Sequence, residues 1–396
     1  MRNLTSFYRD LALSHGDAVA KETKALHDLF DEGIYNWLSG LWDGSVGGFY
    51  YSNSARDNDG FYPDIESTAQ AFNSLESTGI TVSIPVPDRM KRRAVAFMQA
   101  KQDPDDGYFY HAQWGKDINT SRRARDLGNA VSVIKRFGYE PLYPTATERI
   151  AAATSGTGTS ATVPEHLRSE SVFRKYLEEL DINGHSYQIG HRIGQQVAEI
   201  AAAGLTDVCI DFLNSTQKPN GFWEDTLSHS SSNGTMKISC AYVSLGRPFP
   251  NIFTALDSAI EVLLSDMPYG AITEVFNPPF TLLNFLDVLE KSGDTSALVT
   301  AKERIMRHGA DIIRTARERL VPFKKPDGSF SYNKECSSFW SQGKPVCIEG
   351  SYESDVNANS LANGSRVRSL KILGITPPMF FDENDARIFY KKCGEM

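Results

Sequence analysis

The sequence predicts an all-α fold: an (α/α)6 toroid, six helical hairpins closed into one barrel, as a single domain over residues 1–396. Three observations predict it. A loop of glycine, aromatic and polar residues leading into a helix of small residues recurs along the chain. Amphipathic helices with one charged face stand between these units. The chain of 396 residues with 41% hydrophobic content is long enough for one large core.

Four copies of the loop unit are legible. "GGFYYSN" leads to "DIESTAQAFNSLESTGI", and "GYFYHAQW" to "SRRARDLGNAVSVIKRFGYEP". "GFWED" leads to "TMKISCAYVSLGRPFP", and "GSFSYN" to "SYESDVNANSLANGSRVRSLKILGI". Each helix ends near a glycine, the residue suited to a left-handed cap. Residues His191 to Ala203 and Phe280 to Glu290, the latter after "NPP", complete a set of six small-residue inner helices. The outer helices are expected at Ala18–Leu41, Asp88–Ala100, Glu165–Leu180, Thr206–Asn214, Ile252–Leu264 and Thr300–Leu320. Small residues without charge let a helix pack on several sides, so the inner set forms the barrel wall. Short connections make consecutive helices antiparallel, so all inner helices begin at one end and the polar loops crowd over one cavity. "TSGTGTSATVP" (154–164) reads as a flexible surface loop.

Net charge is −8, which gives no electrostatic footprint for nucleic acid. No apolar run approaches a membrane span, and the N-terminus lacks the apolar region of a secretory signal, so a cytoplasmic location is expected. The five cysteines are scattered and odd in number, which favours free thiols. No metal or other cofactor is expected: paired metal-ligand spacings, a phosphate loop and a dinucleotide fingerprint are all missing from the sequence. The expected partner is a small molecule or oligosaccharide.

"QKPNGFW" (Gln217 to Trp223) matches Q-x3-G-x-W, and "QDPDDGYF" and "KKPDGSF" are degenerate copies. This is the repeat motif of terpenoid cyclases, and the chain resembles that superfamily of helical toroids, which includes the protein prenyltransferases. The motif speaks to fold: glycine permits a tight turn, the aromatic packs on the preceding outer helix, and the Gln end ties the turn down. The cyclases' acid motif is D-x-D-D-T-A. Asp64-Ile65-Glu66-Ser67-Thr68-Ala69 matches it in part and lacks the third carboxylate. The prenyltransferases' zinc set is not matched, because no Asp lies two residues before Cys240. The rim resembles that of glycan-active toroids, such as heparinase-like lyases and unsaturated-uronide hydrolases.

Asp64 and Glu66 enter the first inner helix, and Glu353 and Asp355 the last. If the toroid closes, the two pairs meet. Crowded carboxylates separate in pKa, which supplies an acid and a base for glycoside hydrolysis. Helix capping is the competing role for the same residues. His185, Tyr187, His191 and Arg192 cluster at the start of the third inner helix; Tyr187 and His191, four apart, share a face. They are the residue types a uronide lyase needs for proton transfer and for neutralising a carboxylate. Arg122, Arg123 and Arg125 lead the second inner helix and are suited to bind an anion or to form a salt-bridged face. Tyr62, Trp223, Tyr352 and Asn357 are candidate substrate contacts, with Trp223 also the motif's packing residue. The expected function is a hydrolase or lyase for small, acidic, uronide-containing oligosaccharides. The alternatives are a terpenoid-cyclase-like or prenyltransferase-like enzyme, and a non-enzymatic toroid that binds peptide or sugar.

Overall fold

The computed structural model describes residues 2–158 and 163–396. The predicted loop at 154–164 therefore lies partly outside the described residues. Among those described, the chain is almost entirely helical, with two short two-stranded hairpins. No described helix is long and apolar enough to cross a membrane.

Six helices pack in cyclic order. Ile65–Thr78 packs on Thr120–Arg136, which packs on Ser186–Gln195, then His229–Leu245, Thr273–Ser292 and Val356–Lys371; the last packs back on the first. Their N-terminal ends meet around this ring. Arg122 reaches Asp64 and Glu66, the Asn277 amide donates to Asn233 at 2.7 Å, and Gln70 donates to Asn357 at 3.0 Å. Small residues set the spacing. A Cβ on Gly234 would lie 2.0 Å from the Ser186 hydroxyl oxygen, so only glycine lets the third and fourth ring helices approach this closely. The described residues form one main apolar core and a small satellite cluster around Tyr51, Ala55, Val346 and Cys347.

The glycine turns tie neighbouring outer segments together. Gln217 donates to the carbonyls of Gly221 and Pro250, both at 2.9 Å, just before the helix Ile252–Leu264. Gln102 donates to the Tyr143 carbonyl at 2.8 Å ahead of Ala146–Thr154. In the last copy Lys324 replaces Gln and donates to the Leu29 carbonyl at 2.7 Å, joining the end of the chain to its beginning. Gly221 needs its positive φ of 82°, and an added Cβ would strike the Ala255 backbone at 2.5 Å.

Several boundaries differ from expectation. The first outer helix is two, Asp17–His27 and Gly33–Ser39, because the last glycine turn docks at the break: a Cβ on Gly33 would meet the Asp327 carbonyl at 2.2 Å. The third consists of a short turn at Glu165–Leu167 and Glu170–Glu178, which Ser169 caps. The last is split into Thr295–Met306 and Gly309–Leu320. The third ring helix begins at Ser186 because Glu224, from another loop, accepts the Ser186 N–H at 3.2 Å. It ends at Gln195 and is followed by Val197–Ala202. The fifth begins at Thr273 and runs through Pro278 and Pro279, which were expected to precede it. All five cysteines are unbridged.

Candidate functional site

The ring encloses a cavity of about 430 Å³, and above it lies a vestibule of about 670 Å³. Tyr187, Tyr332, Gln342 and Asn357 line both and form the waist between them. A hairpin, Trp340–Ser341 paired with Lys344–Pro345, reaches into the vestibule. Its turn residues Gln342 and Gly343 have φ of 52° and 82°. A left-handed Gln is uncommon. It is held because His191 Nε2–H donates to Gln342 Oε1 at 2.6 Å and Asn119 donates to the Gln342 carbonyl at 2.9 Å.

Beneath this hairpin, five charged side chains cluster, four of them buried and the fifth, Arg125, partly exposed to the cavity. Arg122 is fully buried under the Trp114 ring, 4.4 Å from its centroid. Its Nε donates to Asp126 at 2.9 Å, and its other nitrogens lie 3.4 Å from Glu66 and 3.7 Å from Asp64. Arg125 Nε donates to Glu66 at 2.8 Å, and Ser341 Oγ donates to the other Glu66 oxygen at 2.7 Å. Burial alone would raise Glu66, but Arg125, then Arg122, outweigh it and hold its carboxyl at about 2. Three carboxylates face two guanidiniums, and burial pushes Asp126 up to about 7 against the pull of Arg122. Asp126 was absent from the sequence reading. Its spacing of four from Arg122 on a helix was the available signal.

The predicted carboxylates meet this fate one by one. Asp64 caps the first ring helix, accepting Ser67 N–H at 2.8 Å. Glu66 is an ion-pair partner that stays ionised in the neutral range and cannot serve as a proton donor there. Glu353 accepts Ser52 Oγ and Ser54 N–H, both at 2.8 Å, and so anchors the short helix Asn53–Asp57. Asp355 is sealed from solvent, caps the last ring helix through Ala358 N–H at 2.7 Å, and accepts Tyr332 N–H at 2.9 Å. The first and last ring helices pack together and Ser52, ahead of the first, bridges to Asp355, but neither carboxylate pair lines the cavity or vestibule.

Burial lifts Asp355 from its ordinary 3.8 to about 7. The folded state then binds the proton more tightly than the unfolded one, so stability is lost as pH rises from 3.8 towards 7. Asp355→Asn keeps one oxygen acceptor, sets its NH2 against the other N–H, and removes the titrating proton; the protein should be less stable throughout and should show less of this pH-dependent loss, leaving the contribution of Asp126. Melting temperatures that fall with pH to the same extent in both proteins would clear Asp355 of the effect.

The other predicted residues divide. Tyr187, His191, Arg192 and Asn357 line the vestibule, and Arg125 lines the cavity. Burial, then the Lys237 and Arg125 charges, lower His191 to about 3, so its imidazole is neutral; its buried Nδ1 has no partner. Burial raises the Tyr187 phenol. His185, by contrast, has a side chain 64% exposed, near Asp181 and away from both chambers. Tyr352 is 70% exposed and carries Lys325 over its ring, and Tyr62 is 55% exposed. Arg122 is sealed in the charge cluster, and Arg123 lies over Tyr108, 4.6 Å from its centroid, in the wall. Trp223 is fully buried against Phe249, and its indole N–H donates to the Leu213 carbonyl at 3.1 Å. These side chains cannot contact a ligand in the cavity as expected, because packing or solvent takes their reactive ends.

One cation of the cavity lining was missed by the sequence reading. Lys237, on the fourth ring helix, lines it with no hydrogen-bond or ion-pair partner among the described residues. Burial, then the Arg125 charge, lowers its ammonium to about 8. Among the described residues, neither chamber is lined by a carboxylate. Phe276, Phe280, Met236 and Leu361 supply the apolar part of the cavity.

The site is thus a polar, cationic chamber enclosed by a ring of helices. No known protein family profile matches the chain, and no curated protein is similar to it. Among solved structures it is similar to the type II terpene cyclase MstE from Scytonema in complex with merosterolic acid A, its product, at 15% identity over 89% of this chain and 98% of that one, with a TM-score of 0.43. It is also similar to a protein from Actinoplanes at 14% identity over 90% of this chain and 99% of that one, with a TM-score of 0.40. Neither likeness speaks for carbohydrate chemistry.

Proposed function

We propose that the chain is a single-domain (α/α)6 toroid enzyme whose barrel cavity takes a small hydroxylated anion of the uronide class and cleaves it by elimination. The observation that carries this reading is the cavity lining: Arg125 and an unpaired Lys237, with Arg192 above and no carboxylate among the described lining residues. Two-carboxylate hydrolysis requires carboxyl groups flanking the scissile bond. Here Asp64, Glu66, Glu353 and Asp355 are consumed by capping and ion pairing. Elimination requires instead cations that stabilise the enolate formed beside the substrate's carboxylate, a proton acceptor, and a hydroxyl to protonate the leaving oxygen. Arg125 and Lys237 suit the first task. The free Nδ1 of neutral His191 suits the second, and the Tyr187 and Tyr332 phenols, both raised by burial, suit the third.

A terpenoid-cyclase-like reading has one observation in its favour, the apolar wall of Phe276, Phe280, Met236 and Leu361. Against it, Glu66 in the partial acid motif is ionised, and the Arg368 guanidinium already lies 4.4 and 4.0 Å from the two phenylalanine centroids that would face a carbocation. Thermal shift with a short oligouronide, the matching neutral oligosaccharide and a prenyl diphosphate separates the readings. Uronide at ~100 times its Kd should stabilise the chain by about 2.7 kcal/mol. Turnover should add ultraviolet absorbance from the new double bond. A shift with the prenyl diphosphate alone would favour the cyclase, and no shift with uronide would reject the substrate class.

A further inference from the structure

Lys237 stands apart from the other cavity groups. Arg125 is spent in part on Glu66, Gln70 donates to Asn357, and His191 is bound to Gln342, whereas the Lys237 amine has no hydrogen-bond or ion-pair partner among the described residues. An ammonium so placed is costly unless a ligand anion pairs with it or it sheds its proton. The cavity makes shedding easier than it is for a solvated lysine. Arg125 places a second cation nearby, and the one ring close to the amine is Tyr187, with its centroid 5.9 Å away. A desolvated amine beside another fixed cation is the environment in which lysine becomes a nucleophile.

We propose that Lys237 is an imine-forming residue, taking the carbonyl carbon of a small oxo-acid whose carboxylate is held by Arg125. The proposal rests on the preceding reading only for the place of the anion. In the reaction, the neutral Lys237 Nζ attacks the carbonyl carbon, and the C=O π pair moves to oxygen, which takes a proton from the Tyr187 phenol. The adduct nitrogen returns a proton to the Tyr187 phenolate, the phenol protonates the hydroxyl, which leaves as water, and an iminium remains on Lys237 while the phenolate regains a proton from solvent. No oxidant or metal is needed. An open-chain uronic acid carries both an aldehyde and a carboxylate, so its reducing end belongs to this substrate class. The lowered ammonium, at about 8, keeps a usable fraction of free amine near neutral pH.

Lys101 provides an internal comparison. Burial also lowers it to about 8, yet its ammonium donates to the Phe97 carbonyl at 3.2 Å, and it lines neither chamber. The intact protein would be incubated with glyoxylate and cyanoborohydride, digested, and mapped by mass spectrometry, with propionaldehyde as the carbonyl lacking an anion. The expected result is reductive alkylation by glyoxylate at Lys237, roughly 10-fold faster than at Lys101 or surface lysines. Sulfate should slow it, and it should be missing from a folded Lys237→Arg protein whose melting temperature is retained. Propionaldehyde should show no preference for Lys237. Glyoxylate labelling at Lys237 no faster than at Lys101 would overturn the proposal. Equal preference for Lys237 with both aldehydes would overturn the part assigned to Arg125. Uronide binding with no adduct would leave the elimination reading standing and remove this one, whereas an adduct without uronide binding would do the reverse.

Discussion

Arg122→Ala should cost the fold about 3–5 kcal/mol, the range found when one member of a buried charge pair is removed. The loss is not that of one hydrogen bond. The guanidinium donates to Asp126 at 2.9 Å, lies near Glu66 and Asp64, and bonds the Ser341 carbonyl at 3.3 Å, so its removal leaves Glu66 with Arg125 alone and takes the guanidinium away from Asp126 and Asp64. Denaturant unfolding should show a lower midpoint at neutral pH. The deficit should shrink towards acid pH, where the orphaned carboxylates take up protons. Adding Asp126→Asn to Arg122→Ala should recover part of the deficit, because one buried charge then no longer needs a partner. A single variant that unfolds at the wild-type midpoint would mean that the cluster is solvated in solution. A deficit that grows towards acid pH would show that lost packing under Trp114 dominates.

Trp223→Ala is expected to cost a similar ~3–5 kcal/mol, for a different reason. The ring is fully enclosed by Tyr242, Phe249 and the preceding outer helix, and its N–H satisfies the Leu213 carbonyl. Truncation leaves a cavity and removes one of the two donors on that carbonyl, the Thr216 hydroxyl remaining at 3.2 Å. This loss should not depend on pH, and ligand affinity measured below the transition should stay at the wild-type level. Weaker binding at unchanged melting temperature would return Trp223 to the role of a sugar platform that the sequence suggested. Comparing the two variants across pH therefore separates electrostatic from packing stabilisation in one chain.

What the sequence determined by itself is periodic and local. The alternation of small-residue and amphipathic helices and the glycine-aromatic turns were legible because each depends on neighbours within one or two turns. The Gln217 turn was legible for the same reason, down to the ties that its side chain makes. Helix starts that depend on a partner from elsewhere were not. Ser186 begins its helix early because Glu224 reaches across from another loop, and no pattern within residues 180–195 announces that bond. The roles of the acidic residues were decided in the same way. Asp64, Glu66, Glu353 and Asp355 look alike in sequence, as carboxylates at loop-to-helix junctions. Only the folded chain brings Arg122 and Arg125 against Glu66, the hydroxyls of Ser52 and Ser54 against Glu353, and a sealed wall around Asp355. Lys237 shows the converse: a single charge within a helix of small residues is unremarkable in the string, and ring closure turns it into an unpaired cation facing a cavity. Helical periodicity is set by backbone geometry and survives in any context. Charge state and partner choice depend on desolvation and on distances between residues far apart in the chain, which exist only once the ring has closed.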